Sequence, residues 1–225
     1  MVSKQLLLAL AIGATAMLFP IMVQAKWYKI KLWKCFIITI VLTVIGTIGT
    51  YLLFFLENSR WGGVSFYGAV FLVPVIFLPF CKLINIPYGK LMSLCAPAEC
   101  VMLAIMKIRC FTAGCCYGRE LFVTAEGVAV VFPSQLVELF TALIICCLLM
   151  YFAKKESGPE RIYPLYMIIY GGARFVLNLL REPIGVSIGL PIGNIWSIVS
   201  IVIGIFWIYI MRKCDKRKIK KNKEK

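Results

Sequence analysis

Three polar stretches interrupt an otherwise apolar chain, and each sets a cation beside glycines or hydroxyls. The first is Arg60-Trp61-Gly62-Gly63-Val64-Ser65-Phe66-Tyr67-Gly68. The second is Lys107-Ile108-Arg109-Cys110-Phe111-Thr112-Ala113-Gly114-Cys115-Cys116-Tyr117-Gly118-Arg119. The third carries Arg174, Asn178 and Arg181-Glu182-Pro183. Glycine-rich backbone at a helix end leaves amides free, and a guanidinium adds two parallel donors, so the combination suits a phosphate. Arg174 falls inside an apolar segment, about two turns from its end, where a charge is costly and marks a functional position. A structural pair with Glu138 or Glu99 is the competing reading of Arg174.

Glu138 follows Phe132-Pro133-Ser134-Gln135, a helix start with Pro and Ser in the first turn. It either orients an arginine or caps the helix. Glu99 lies beside Pro97 in the middle of an apolar run, protonated or paired, with no role assigned. Ten cysteines raise the question of a metal. Cys110, Cys115 and Cys116 cluster, but no second pair and no histidine completes the usual four-ligand zinc set. No metal site and no cofactor are expected; the cluster suits a thiol or disulfide role, or compact packing. Cys35, Cys81, Cys95, Cys100, Cys146 and Cys147 sit in apolar runs and behave as small hydrophobes.

The elements that must position these residues are set by hydropathy. Apolar residues make up 61% of the 225 positions, and mean hydropathy is +0.90. The excess lies in runs close to the ~20 residues that span a bilayer as a helix. Backbone amides in lipid must be paired within a helix or a closed barrel, and no ten-residue alternation suggests a barrel. The expected fold is all-α, with about seven transmembrane helices near 5–24, 35–56, 65–83, 90–108, 134–153, 162–180 and 193–211. Residues 1–211 then form a single transmembrane domain, and the Lys/Arg-rich tail 212–225 reads as disordered and cytoplasmic.

Residues 1–25 imitate a secretory signal, with Lys4, an apolar run and Val23-Gln24-Ala25. Charge asymmetry argues for a retained helix instead. Seven spans with the tail inside place Lys26, Lys29, Lys31, Lys34, Lys82, Lys90, Lys154, Lys155 and Arg161 on the cytoplasmic side, with the N-terminus outside. All three polar stretches then share the non-cytoplasmic face. The net charge of +15 follows from this bias and from anionic lipid heads. Nucleic acid is not an expected partner, because no motif supports it.

Six segments in register resemble the bacterial prolipoprotein diacylglyceryl transferases over roughly 61–205. Trp61 to Gly68 is similar to that family's Gly-Gly-x-Ser-Phe-His-Gly segment. Ala96-Pro97-Ala98 followed by Lys107 to Arg119 resembles its Ala-Pro helix and signature, in a branch with Cys-Phe-x-x-Gly-Cys-Cys-Tyr-Gly. Pro133-Ser134-Gln135-Leu136-Val137-Glu138 resembles Pro-Ser-Gln-Leu-Tyr-Glu. Tyr170-Gly171-Gly172-Ala173-Arg174-Phe175, with Arg181-Glu182-Pro183, resembles Tyr-Gly-x-x-Arg-Phe and its Arg-Glu-Pro end. Gly193-Asn194-Ile195-Trp196-Ser197-Ile198 resembles the start of the last helix.

The resemblance implies transfer of a diacylglyceryl group from phosphatidylglycerol to the lipobox cysteine of a prolipoprotein, releasing glycerol 1-phosphate at the outer face of the bacterial plasma membrane. Expected partners are phosphatidylglycerol, prolipoprotein signal peptides and membrane lipids. Tyr67, Arg109 and Arg174 are the expected catalytic residues. Lys107, Gly114, Gly118, Glu138, Asn178 and Arg181 are expected to bind substrate. The chain departs from the family pattern at five positions. Tyr67 replaces a histidine, Lys107 an arginine, Arg109 a glycine, Leu103 a polar residue and Asn178 a glutamate. These departures open a second reading, a catalytically reduced homologue that binds lipid or lipoprotein without turnover. Transport is disfavoured, because transporters place polar sites at the midplane within paired repeats.

Overall fold

The computed structural model describes residues 4–123, 129–155, 158–181, 186–187 and 190–223, with side chains left undescribed at 186–187, 190 and 215–223. Seven α-helices appear among the described residues, in the expected order: α1 (Lys4–Tyr28), α2 (Leu32–Asn58), α3 (Tyr67–Leu83), α4 (Tyr88–Thr112), α5 (Ser134–Lys155), α6 (Ile162–Leu179) and α7 (Ile192–Lys223). Five of them, α1, α2, α4, α5 and the Ile192–Cys214 part of α7, are long and apolar enough to cross a membrane. The other two are α3, with 17 residues, and α6, with 18. The helix α7 is longer than the 193–211 segment read from hydropathy.

Tight reversals follow α1, α3 and α4, where a residue just past the helix end adopts positive φ. Lys29 (φ 55°), Asn85 (φ 49°) and Gly114 (φ 62°) each follow a helix end. At each, the next amide reaches back five residues: Ile30 to the carbonyl of Ala25 (2.8 Å), Ile86 to Cys81 (3.1 Å) and Cys115 to Cys110 (3.1 Å). This closure satisfies carbonyls that a helix end otherwise leaves open. The left-handed conformation disfavours most side chains, and Gly114 adopts it freely.

The central helix is α4, where every residue from Leu91 to Cys100 is buried. Ser93, Cys95, Ala96, Ala98 and Cys100 are small, so neighbouring backbones approach closely, as membrane helix packing requires. On one side of α4 lies α1 and on another α5, while α2 packs on α3 and α6 on α7. Ser93 donates to Gln24 Oε1 (2.9 Å) and accepts from the Tyr28 hydroxyl (2.9 Å), a polar tie between α1 and α4. The α2–α3 crossing is so close that a Cβ on Gly68 would lie 1.9 Å from the Gly49 carbonyl oxygen.

Four short strands were not expected from sequence. The first pair, β1 (Glu120–Val123) with β2 (Ala129–Val131), and the second, β3 (Val186–Ser187) with β4 (Leu190–Pro191), are both antiparallel. The β1–β2 runs are rich in β-branched and aromatic residues but too short to stand out against the apolar background. Their use is positional. Gly118 and Phe132 pair through backbone (2.9 Å), and the Arg119 amide donates to the Leu180 carbonyl (3.1 Å). The α4–α5 connection is thereby fastened to the end of α6.

Candidate functional site

Glu138 is the electrostatic centre of one end of the helix assembly. It sits one turn into α5 and is 3% exposed. Lys107 of α4 reaches its Oε2 at 2.5 Å, Arg174 of α6 pairs with the same oxygen, and Arg181 beyond α6 reaches Oε1 at 3.2 Å. All three cations are nearly buried, with 10%, 17% and 11% of their side chains exposed. One carboxylate among three cations leaves this cluster with a net charge of about +2. Arg174 therefore pairs with Glu138, while Glu99 accepts a hydrogen bond from Tyr163 (3.0 Å).

The cluster closes one end of a cavity of about 410 Å³. Leu6, Leu10 and Met17 of α1, with Leu42 and Phe54 of α2, give it apolar walls. Tyr67, Lys107, Arg109, Glu138, Arg174, Asn178 and Arg181 all line it. The three expected catalytic residues thus share one recess. Among the described residues, Arg109 Nε and Asn178 Nδ2 are buried without a hydrogen-bond partner, donors that an anion would satisfy.

Tyr67 begins α3 and is 3% exposed. Its hydroxyl lies 2.8 Å from Ser197 Oγ. Ser197 gives its single proton to the Gly193 carbonyl (2.8 Å), so Tyr67 must be the donor to Ser197. A phenol already donating, with an ordinary pKa near ~10, is a weak proton acceptor. Sequence reasoning missed Glu57, the first acidic residue of the chain. It lines the cavity and accepts from the Ser65 hydroxyl at 2.8 Å. An acid at a helix end beside the Arg60 stretch was the signal for it.

Gly114 and Gly118 are outside the cavity lining. Gly114 shapes the α4 end, and a Cβ on Gly118 would lie 2.6 Å from the Phe132 carbonyl oxygen. Both shape the loop that follows α4. The start of α5 holds the same loop: Ser134 Oγ donates to the Cys116 carbonyl (2.6 Å) and Gln135 Nε2 to the Cys115 carbonyl (2.7 Å). Cys110, Cys115 and Cys116 line the cavity beside Lys107. A hydrogen bond from Cys110, with the charges of Lys107 and Arg181, pulls the Cys116 thiol down to about 5. The third polar stretch continues into Glu182 and Pro183, which lie outside the described residues.

A buried cluster of three cations around one carboxylate thus stands at the end of an apolar cavity, among helices of which five are long and apolar enough to cross a membrane. The family model described as prolipoprotein diacylglyceryl transferase matches residues 5–210, and the chain belongs to that family. It is 29% identical over 164 residues to the phosphatidylglycerol–prolipoprotein diacylglyceryl transferase of Clostridium tetani, covering 67% of this chain and 65% of that protein. The Acinetobacter baumannii (strain SDF) protein of the same name is 31% identical over 160 residues, covering 61% of this chain and 58% of its own. The phosphatidylglycerol–prolipoprotein diacylglyceryl transferase 2 of Clostridium perfringens is 25% identical over 212 residues, covering 82% of this chain and 81% of that protein. The chain spans less than two thirds of the length of the Clostridium tetani relative.

Proposed function

We propose that this protein transfers a diacylglyceryl group from phosphatidylglycerol to the lipobox cysteine of prolipoproteins. The observation that carries this reading is the Glu138 cluster, where three cations share one carboxylate at the polar end of an apolar cavity. A buried excess of positive charge is costly, and an anionic headgroup offsets it. The apolar walls take the acyl chains while Arg174, Arg109, Lys107 and Arg181 hold the phosphate. As the carbon–oxygen bond breaks, charge builds on the departing glycerol phosphate, and fixed cationic donors in a dry site stabilise it. Glu138 aligns the cations. Glu57 is the carboxylate placed to accept the thiol proton, and Tyr67 with Ser197 secures the wall facing Arg174. Asn178 adds an amide donor to the phosphate. The chain makes seven membrane passes, N-terminus outside and tail in the cytoplasm, so the site opens at the outer face of the bacterial plasma membrane.

The substitutions at Tyr67 and Lys107 favour a second reading, a homologue that binds lipid or lipoprotein without turnover. Expression in cells depleted of their own transferase separates the two. Transfer predicts that a prolipoprotein gains the diacylglyceryl mass, and that Arg174→Ala lowers the gain about 10²–10³-fold. No gain from well-folded protein supports the binding reading and sinks the first.

A further inference from the structure

Cys110 at the end of α4 and Cys115 and Cys116 in the loop that follows line the same cavity as the Glu138 cluster, yet the phosphate-holding scheme leaves them without a task. Their sulfur atoms all lie within 4.8 Å of one another. The reversal at Gly114 returns Cys115 onto Cys110 (amide to carbonyl, 3.1 Å), and Cys116 turns the chain again with φ 63°. The clamps from Ser134 and Gln135 fix the carbonyls of Cys116 and Cys115. A non-glycine residue at positive φ, its own carbonyl and that of its neighbour each held by a side chain of α5, marks a built arrangement.

We propose that Cys110, Cys115 and Cys116 bind one zinc ion as thiolates, with a fourth position open to the cavity for the acceptor thiol. The second half of this rests on the transferase reading. A closed site of four protein ligands, the kind that the cysteine spacing speaks against, serves structure. Three protein ligands with one exchangeable position is the arrangement of catalytic zinc. Zn–S bonds of about 2.3 Å set sulfurs about 3.8 Å apart, so side-chain rotation brings these into range. Three thiolates around Zn²⁺ carry a net charge of about −1, which Lys107, Arg109 and Arg181 on the same cavity wall offset. A disulfide would need two sulfurs at about 2.05 Å and would leave the third without a role.

The chemistry answers a need of this chain, which has no histidine and whose carboxylate Glu57 is a weak base toward an uncoordinated thiol. A thiol bound to zinc loses its proton outright. Its sulfur pair attacks the glyceryl carbon that bears the phosphate ester. The C–S bond forms, the C–O bond breaks, and the bonding pair leaves on the phosphate oxygen of glycerol phosphate. The thiol's proton passes to Glu57, which lines the same cavity, and nothing is oxidised or reduced. The thioether product is a weaker ligand and departs.

Purified full-length protein in detergent, equilibrated with zinc chloride and desalted, is assayed for metal by elemental analysis. One ion per chain is expected in the unaltered protein and in Cys147→Ser, with loss to background in Cys110→Ser, Cys115→Ser and Cys116→Ser. Zinc that is absent from the unaltered protein, zinc that survives all three loop substitutions, or a loop disulfide seen by mass overturns the site. Cobalt substitution of the unaltered protein decides the matter even where the variants misfold. Thiolate-to-cobalt absorption must appear, and a lipobox peptide must shift it while the Cys→Ser peptide does not. A spectrum blind to the peptide overturns the open position. Transfer at full rate by zinc-free protein overturns the catalytic role alone, whereas bound zinc with a peptide-sensitive spectrum but no transfer overturns the transferase reading and leaves the site.

Discussion

Glu138 meets three cations from three parts of the chain, and its removal should be felt in both stability and function. Breaking a buried pair strands charge, and here Lys107, Arg174 and Arg181 would be left facing one another. Glu138→Ala is expected to lose about 3–5 kcal/mol of stability, measured as thermal unfolding in detergent. Added phosphatidylglycerol should recover part of that loss, because its phosphate replaces the missing negative charge. Recovery of the same size by zwitterionic lipid would contradict an anion site. Tyr67→Phe is a milder test. It deletes a hydrogen bond to Ser197 worth about 1 kcal/mol, and transfer should fall less than for Glu57→Gln if Glu57 receives the proton. A larger loss in Tyr67→Phe, read from the rate of peptide lipidation, would return the proton-accepting role to Tyr67.

At the scale of the element, glycines discriminate close helix crossings from open helix faces. Gly171 and Gly172 are adjacent in sequence and opposite in surroundings. A Cβ on Gly171 meets Ser197 O and Ile201 Cγ1 of α7, each at 2.9 Å, whereas one on Gly172 meets nothing within 4 Å. Gly171→Ala should destabilise by about 1–3 kcal/mol through overpacking. Gly172→Ala should be neutral or gain up to about 1 kcal/mol from helix propensity. Thermal melts of the two variants check this, and equal effects would contradict the α6–α7 packing. The contrast also shows where sequence reading reaches its limit. The seven helices, their order and the convergence of Tyr67, Arg109 and Arg174 on one recess were legible, because long apolar runs and misplaced charges are strong signals. The short strands were hidden by an apolar background. The share-out of one carboxylate among three cations depends on side-chain directions across α4, α5 and α6, which no spacing encodes. Glu57 was overlooked because its partner Ser65 lies across the α2–α3 turn. The roles of Gly114 and Gly118 as loop builders rest on backbone angles and on the contact with Phe132, not on residue type alone.

For the whole molecule, the proposed seven passes put the Arg60 stretch and the Lys/Arg-rich tail on opposite sides of the membrane. Trp61 is exposed, so a cysteine placed there in a background lacking other reactive thiols should react with an impermeant maleimide in intact cells. Cys214, also exposed, should react only after permeabilisation. The reverse pattern would invert the orientation and bring the cavity to the cytoplasmic side. Such a result would remove the reason to expect a secreted lipoprotein precursor as acceptor.

The most direct measurement combines purified protein, phosphatidylglycerol and a lipobox peptide, with the peptide followed by mass spectrometry. The account predicts a peptide heavier by one diacylglyceryl group, glycerol phosphate released in equal amount, and both nearly abolished by Arg174→Ala. An unmodified peptide from folded protein that still binds phosphatidylglycerol, or modification that continues undiminished in Arg174→Ala, would contradict it.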